Sequence, residues 1–363
     1  MERIEVRGAP SYYACEVGIL DQLESLLLSN KLFRCLVITG EKSWDAITSY
    51  FPTMTDIHIQ IDTYNGECTL HEISRISQII IEQHFDAIIG IGGGKVLDLA
   101  KGVGHETTKE VVLIPTLAST CAAWTPLSVI YNEEGQFTHY TIFPKSQLLV
   151  LIEPRAILNS PKRFLIAGIA DTLAKWYEAD VLIQQLEDVP IVVNIAHQMA
   201  KLCKEELLEH SNIAIQDLEA NTLSASLLKV IETNIVAGGM VGGFGDQYGR
   251  IAGAHAVHNG LTAVNETHHL LHGEKVAYGI LVQLALEEKW QEIKELVPFY
   301  QLLELPYKLE QLHLNGENLE KLQTIARAIL LPHESIHLME MNLTEVKILQ
   351  AIYTLEDLIH QPF

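Results

Sequence analysis

Between Cys35 and Ile152, short apolar runs alternate with stretches of helical periodicity. Cys35–Thr39 (CLVIT), Ile57–Ile61 (IHIQI), Ala87–Ile91 (AIIGI), Val111–Ile114 (VVLI), Leu127–Tyr131 (LSVIY) and Leu148–Ile152 (LLVLI) predict strands. Between the second and third of these, Leu70, Ile73, Ile76 and Ile80 recur at helical spacing within Leu70–His84. Strands that are apolar almost throughout, separated by helices, predict an α/β fold whose parallel sheet is buried on both faces. After Pro161 the pattern changes to long stretches rich in Leu, Ala, Glu and Lys, with helical periodicity and few β-branched clusters. The expected organisation is an α/β domain over residues 1–158 followed by an all-helical domain over 159–363. No internal repeat or low-complexity segment interrupts the chain.

Composition narrows the function more than the fold. The 363 residues carry 25 Lys+Arg against 46 Asp+Glu, a formal net charge of −21. Such a chain repels nucleic-acid phosphates and anionic membranes unless a basic patch intervenes, and no dense Lys/Arg run is present. No stretch approaches the roughly 18 consecutive apolar residues of a membrane span. The opening MERIEVRGAPSYYACE lacks the apolar core of a signal peptide. Cys15, Cys35, Cys68, Cys121 and Cys203 are odd in number, widely spaced and without a CxxC, as expected of reduced thiols in the cytoplasm. The expectation is a globular cytoplasmic protein with a small-molecule substrate and no nucleic-acid or membrane partner.

Two regions carry candidate chemistry. Gly90-Ile-Gly-Gly-Gly-Lys95 follows an apolar strand and opens the amphipathic segment Val96–Val103. Glycines admit a ligand close to the backbone, a helix start offers free amides, and Lys95 adds positive charge, which together suit a pyrophosphate. The spacing is neither GxGxxG nor GxxxxGK[ST], and a tight strand–helix turn without a ligand is the plain alternative. Thr116, Ser119 and Thr120 follow another strand end, where hydroxyls can reach the same crevice.

In the second region, Asp171 lies on an apolar helix (Arg163–Glu178) among Ala167, Gly168 and Ala174 at helical spacing. A carboxylate in such a dent needs a partner, and Lys175 at i+4 is the near candidate. Downstream, His255, His258, His268, His269 and His272 fall within 18 residues. His255 and His258 share a helix face, and His272 precedes the helical run Glu274–Leu286. Single histidines are commonly structural. One Asp with two His from separate helices, however, leaves a divalent ion an open coordination position, as catalytic sites require.

Five stretches carry a resemblance that covers nearly the whole chain: Gly90–Lys101 (GIGGGKVLDLAK), Pro115–Phe137 (PTLASTCAAWTPLSVIYNEEGQF), Gly168–Asp180 (GIADTLAKWYEAD), Gly253–Val264 (GAHAVHNGLTAV) and Leu271–Gln283 (LHGEKVAYGILVQ). Together they resemble the iron-containing (group III) alcohol dehydrogenases, in the branch that includes glycerol dehydrogenase. The resemblance implies an N-terminal Rossmann-like nucleotide-binding domain and a C-terminal helical domain, in the dehydroquinate synthase-like fold, with the active site between them. It also implies a homo-oligomer. By position, it makes Gly92, Gly93, Gly94 and Lys95 the pyrophosphate loop and Thr116, Ser119 and Leu127 cofactor contacts. Asp98, in the helix after that loop, is placed with the cofactor residues or in a local charge pair with Lys101. Asp171, His255 and His272 match the ligands of one divalent ion, zinc or iron. His258, one helical turn from His255, is expected to relay protons or to support a ligand.

Three departures qualify the resemblance. Lys175 stands where long-chain members carry a fourth-ligand histidine, leaving three protein ligands as in glycerol dehydrogenases. Cys121 stands where glycerol dehydrogenases use an aspartate to bind a substrate hydroxyl, and a thiol is a weak partner for a polyol. After the strand ending at Thr39, Gly40-Glu41-Lys42 lacks the acid that NAD-using relatives place on the ribose, unless Glu41 takes it over. Lys42 could pair with a 2′-phosphate, so NADP(H) is favoured over NAD(H).

Within the family, STCAAWTPLSV, GGMVGGFGD (Gly238–Asp246) and ESIH (Glu334–His337) are most similar to members acting on hydroxycarboxylates. The expected activity is therefore a metal-dependent, NAD(P)-linked interconversion of small 2-hydroxy and 2-oxo acids, with Arg250 and Lys175 as the cations on offer to a substrate carboxylate. A glycerol or 1,2-diol dehydrogenase is the second reading. A dehydroquinate synthase-like lyase and a non-catalytic cofactor-binding relative are the remaining ones.

Overall fold

A computed structural model describes residues 4–360. Eight strands form in it: Tyr12–Cys15 (β1), Arg34–Thr39 (β2), His58–Thr63 (β3), Ala87–Gly92 (β4), Glu110–Pro115 (β5), Leu127–Tyr131 (β6), Phe137–Ile142 (β7) and Leu149–Ile152 (β8). Six of them make one sheet in the order β1-β8-β5-β4-β2-β3, and every neighbouring pair is parallel. Alternate residues of each run bury on opposite sides. Leu36, Ile38 and Ile88 join the core on one face, while Cys35, Val37, Ala87 and Ile89 join the core on the other. Burial on both faces is why these strands read as continuous apolar runs.

The chain leaves β2 for β3 on one side, returns to β4 on the other side of β2, and continues outward to β5. A crevice opens at the strand carboxyl ends wherever the winding direction reverses like this. Here it lies between the ends of β2 and β4, at Gly40 and Gly92. The helix Leu70–Glu82 covers the sheet beside Gly94–Thr107 and buries Ile73, Ile76 and Ile80. Each fully buried Ile of this kind stabilises the fold by about 1.5–3 kcal/mol.

Two strand assignments differ from the sequence reading. Leu127–Tyr131 was expected in the parallel sheet, but it pairs antiparallel with Phe137–Ile142 in a separate hairpin. Its burial alternates along the strand, as suits a ribbon wet on one side. Tyr12–Cys15 was not anticipated. It adds to the sheet edge through parallel pairing with β8, although only four residues long and only partly buried.

Beyond Ile152 the described residues form helices and turns and no strand. The run Ala225–Tyr248 is long and apolar enough to cross a membrane by length and composition, yet 56% of its most apolar window is buried inside the protein. A π-helical turn at Thr233–Ala237 within it buries Asn234, whose side-chain amide donates to the Ala118 carbonyl at 2.9 Å. Insertions of this sort redirect a side chain out of the regular helical register.

Candidate active site

The ends of β2, β4 and β5 lie side by side, with Thr39 opposite Ile91 and Gly92 opposite Pro115. Gly92 closes β4, Gly93 is extended, and Gly94 starts the helix Gly94–Thr107, so the glycines form the strand-to-helix turn expected of them. The Thr116 amide donates to the Gly92 carbonyl at 3.0 Å, and Ser119 and Thr120 are half-buried in the loop that follows. Gly40 is extended ahead of the helix Glu41–Ile47, on which Glu41 and Lys42 are both exposed.

Two expected cofactor residues are engaged by other groups. The Lys95 ammonium pairs with Glu67, so its charge is already matched. Asp98 is buried, 2.8 Å from Lys101 Nζ, and accepts from the Val129 amide at 3.0 Å. That is the charge-pair arrangement rather than a carboxylate open to a ligand.

Lys101 does more than balance Asp98. Its ammonium donates to the Ala122 carbonyl at 2.6 Å, to Thr125 at 3.0 Å and also to the carbonyl of Leu127. These bonds gather the loop that carries Ser119, Thr120 and Cys121. Trp124 anchors the same loop by donating from its indole to the Gly8 carbonyl at 2.8 Å. Burial pushes the Cys121 thiol up, with Lys175 pulling it the other way, so the side chain is a neutral thiol at pH 7.

Close helix packing brings the acid and the imidazoles together. Asp171 lies on Lys162–Ile183, His255 on Gly253–Leu261, and His272 opens His272–Leu286. A Cβ on Gly273 would stand 1.9 Å from the Ala167 carbonyl oxygen, and one on Gly279 would stand 2.3 Å from that of Ala254. Only bare backbone fits at these crossings. Gly273 is next to His272 and Ala254 next to His255, so the same two contacts set the positions of the ligand candidates.

Asp171 Oδ1 lies 3.2 Å from His272 Nε2 and 3.3 Å from His255 Nε2. The three donor atoms are all within 4.8 Å of one another. Bonds of about 2.0–2.2 Å around one tetrahedral cation would separate ligand atoms by about 3.3–3.6 Å, so this set fits a divalent ion. Asp171 and His255 are buried, while the His272 side chain is 43% exposed and opens the cluster to solvent.

Supporting bonds fix the tautomers. His255 Nδ1 donates to Glu178 Oε2 at 2.6 Å, which turns its Nε2 toward Asp171 and the cluster. Glu178 Oε1 also accepts the amides of Ala252 at 2.7 Å and His255 at 2.9 Å. His258 Nδ1 donates to Asn259 Oδ1 at 2.9 Å, and Asn259 donates on to Glu334 Oε2 at 2.9 Å. The remaining His258 nitrogen lies 3.0 Å from His272 Nδ1 and accepts from it.

Burial favours neutral forms throughout the site, and specific charges decide the exceptions. Burial would raise Asp171, but Lys175 and the two imidazoles hold it well below the usual carboxylate range. Burial would lower His255, but the Glu178 carboxylate overrides it and carries the imidazole up to about 9. Burial, then the charges of His272, Lys275 and His255, push His258 well below the ordinary imidazole value. Glu178→Gln keeps the size of the side chain but removes the charge behind His255. We expect it to weaken divalent-ion affinity by about 10–100-fold, read by competition with a chromogenic chelator.

The chain matches the family model described as iron-containing alcohol dehydrogenase over residues 10–153. It is 40% identical over 347 residues to hydroxycarboxylate dehydrogenase A of Escherichia coli (strain K12), with 94% of each chain covered. The chain belongs to the iron-containing alcohol dehydrogenase family. It is also 37% identical over 295 residues to a glycerol dehydrogenase of Thermotoga maritima, covering 80% of this chain and 79% of that one. The crystal structure of a probable glycerol dehydrogenase from Sinorhizobium meliloti 1021 matches it with a TM-score of 0.87 at 29% identity, over 98% of both chains. As a member of this family the protein is an oxidoreductase with a small-molecule substrate, and the family implies NAD(P) and a divalent metal.

Against the expectations for such a dehydrogenase, Asp171, His255 and His272 come together, with His258 against His272. His268 and His269 remain outside the cluster, His268 bonded to the Thr262 carbonyl at 3.0 Å and His269 edge-on to His313 with ring centroids 4.4 Å apart. Lys175 makes no contact ion pair with Asp171 and reaches the Arg250 carbonyl at 3.4 Å instead. Arg250 pairs with Asp246 at 3.0 Å and is not free for a substrate. Three supporting residues escaped the sequence reading: Glu178, Asn259 and Glu334. Glu178 had a signal, being two helical turns after Asp171 and therefore on its face. Asn259 and Glu334 had none, because their pairing spans 75 residues.

Proposed function

We propose that this iron-containing alcohol dehydrogenase interconverts small 2-hydroxy and 2-oxo acids, using NADP(H) in preference to NAD(H). The observation that carries the reading is the neutral Cys121 thiol beside the Asp171 cluster, where a polyol-binding enzyme needs an acid. The identity with hydroxycarboxylate dehydrogenase A supports it. The likeness to glycerol dehydrogenases supports a second reading, oxidation of glycerol or a 1,2-diol.

Asp171, His255 and His272 would hold the ion. When bound, the ion supplies Lewis acidity at the substrate oxygen and the nicotinamide gives or takes hydride at the adjoining carbon. Glu178 orients His255 so that Nε2 faces the cluster. His258, with both ring nitrogens engaged, would hold His272 in place rather than carry protons. The backbone amides of Gly93, Gly94 and Lys95 at the start of Gly94–Thr107 would take the pyrophosphate. Thr116, Ser119 and Leu127 would border the cofactor, and the exposed Lys42 would face a 2′-phosphate.

The test compares reduction of 2-oxobutanoate by NADPH and by NADH with the oxidation of glycerol. We expect turnover of the oxo acid, faster with NADPH. Robust glycerol oxidation without oxo acid reduction would overturn the assignment in favour of the second reading.

A further inference from the structure

We infer that Lys175 is the specificity-determining residue of the site: a buried ammonium placed to pair with the carboxylate of the substrate. The inference deepens the proposed 2-hydroxy acid activity and rests on it. Lys175 follows Asp171 by one helical turn on Lys162–Ile183, so both side chains leave the same face. It is only 8% exposed. An ammonium has three protons to donate, but among the described residues its Nζ reaches a single acceptor, the Arg250 carbonyl at 3.4 Å. Buried charges ordinarily carry a close counter-charge, and among the described residues this one has no carboxylate within 4.0 Å.

The surrounding charges say what is missing. Asp171 and Glu178 are the carboxylates that face Lys175, and Cys121, Cys203 and His255 complete its neighbourhood. Glu178 is already taken up by His255 and two backbone amides. With a divalent ion on the cluster, the two carboxylates leave one positive charge uncompensated. A monoanionic substrate cancels it, whereas a neutral polyol leaves it buried and unpaired. Arg250 cannot serve, since Asp246 holds it. Of the other buried lysines, Lys101 is held by Asp98 and three carbonyls, and the charge of Lys275 acts on His258, behind His272.

The experiment uses metal-loaded enzyme and compares kcat/KM for 2-oxobutanoate with that for its uncharged analogue 2-oxobutanamide. Lys175→Met should lower the ratio of the two by about 10–100-fold, chiefly through KM of the oxo acid. Cys121→Asp keeps the lysine but gives it an internal carboxylate, and should lower the ratio in the same direction. A ratio within about twofold of wild type in both variants, beyond ordinary context-dependent scatter, overturns the inference. So does a fall produced by Lys275→Met instead. Calorimetric titration of butanoate and butanamide into the wild-type holoenzyme and Lys175→Met needs no turnover. Butanoate should bind wild type about tenfold more tightly than butanamide and lose that margin in the variant. If 2-oxobutanoate is not reduced but this binding margin holds, the proposed activity fails while the role of Lys175 stands. If the margin is the same in both proteins, the role of Lys175 fails.

Discussion

Asp171→Asn should lower kcat/KM by about 10³-fold or more and leave the protein unable to retain a divalent ion through dialysis. The expectation follows from the position of one atom. Asp171 Oδ1 is the near neighbour of both imidazole Nε2 atoms, at 3.2 and 3.3 Å, so it is the shared corner of the cluster. Asparagine matches aspartate in shape and keeps the helix intact, but it removes the only formal negative charge offered to the ion. It also presents an NH2 or a weaker carbonyl donor in that corner. Steady-state kinetics with metal analysis and a thermal melt on the same sample separate lost chemistry from lost folding. Catalysis that survives both chelation and this substitution would remove metal chemistry from the account.

The largest loss of stability should come from Gly273→Ala. The new Cβ would lie 1.9 Å from the Ala167 oxygen and 2.6 Å from its carbonyl carbon, both of them backbone atoms that cannot rotate away. The helices Lys162–Ile183 and His272–Leu286 must then separate, which costs about 3 kcal/mol or more. The same movement draws His272 away from Asp171, so activity falls in whatever fraction remains folded. Gly242→Ala is the matched control, because its Cβ would meet nothing closer than 3.8 Å. Helix propensity there favours alanine by about 1 kcal/mol. Denaturant midpoints of the two variants should shift in opposite directions. Equal shifts would mean that the helix crossing tolerates a methyl group and does not position the site.

Much of this was legible in the sequence wherever one segment carries its own signal. The strands β2, β4, β5 and β8 are buried on both faces, and their continuous apolar runs say so directly. The glycine turn after β4 is equally local. β6 misled because LSVIY has the composition of a core strand, while its antiparallel partner follows after a short turn and is itself mostly exposed. β1 was missed because its four residues are too few to show a strand period.

The convergence of Asp171 with His255 and His272 could not come from spacing alone, since the contacts span 84 and 101 residues. The buried acid and the run of histidines pointed to a metal site, and the family resemblance singled out which three residues make it. The close backbone approaches at Gly273 and Gly279, which create the cluster, look in sequence like unremarkable glycines inside helices. Lys175 was legible as a cation on offer to a substrate carboxylate, but at i+4 from Asp171 it also reads as a simple helical ion pair, and only the structure shows that this pair does not close.

The central claim is that Asp171, His255 and His272 grip a single divalent ion. Anomalous scattering at the zinc edge, from crystals grown with one equivalent of Zn²⁺, tests it most directly. The account predicts one strong peak about 2.0–2.2 Å from an Asp171 carboxylate oxygen and from Nε2 of both histidines. A fully occupied peak elsewhere, with those three side chains unligated, would contradict it.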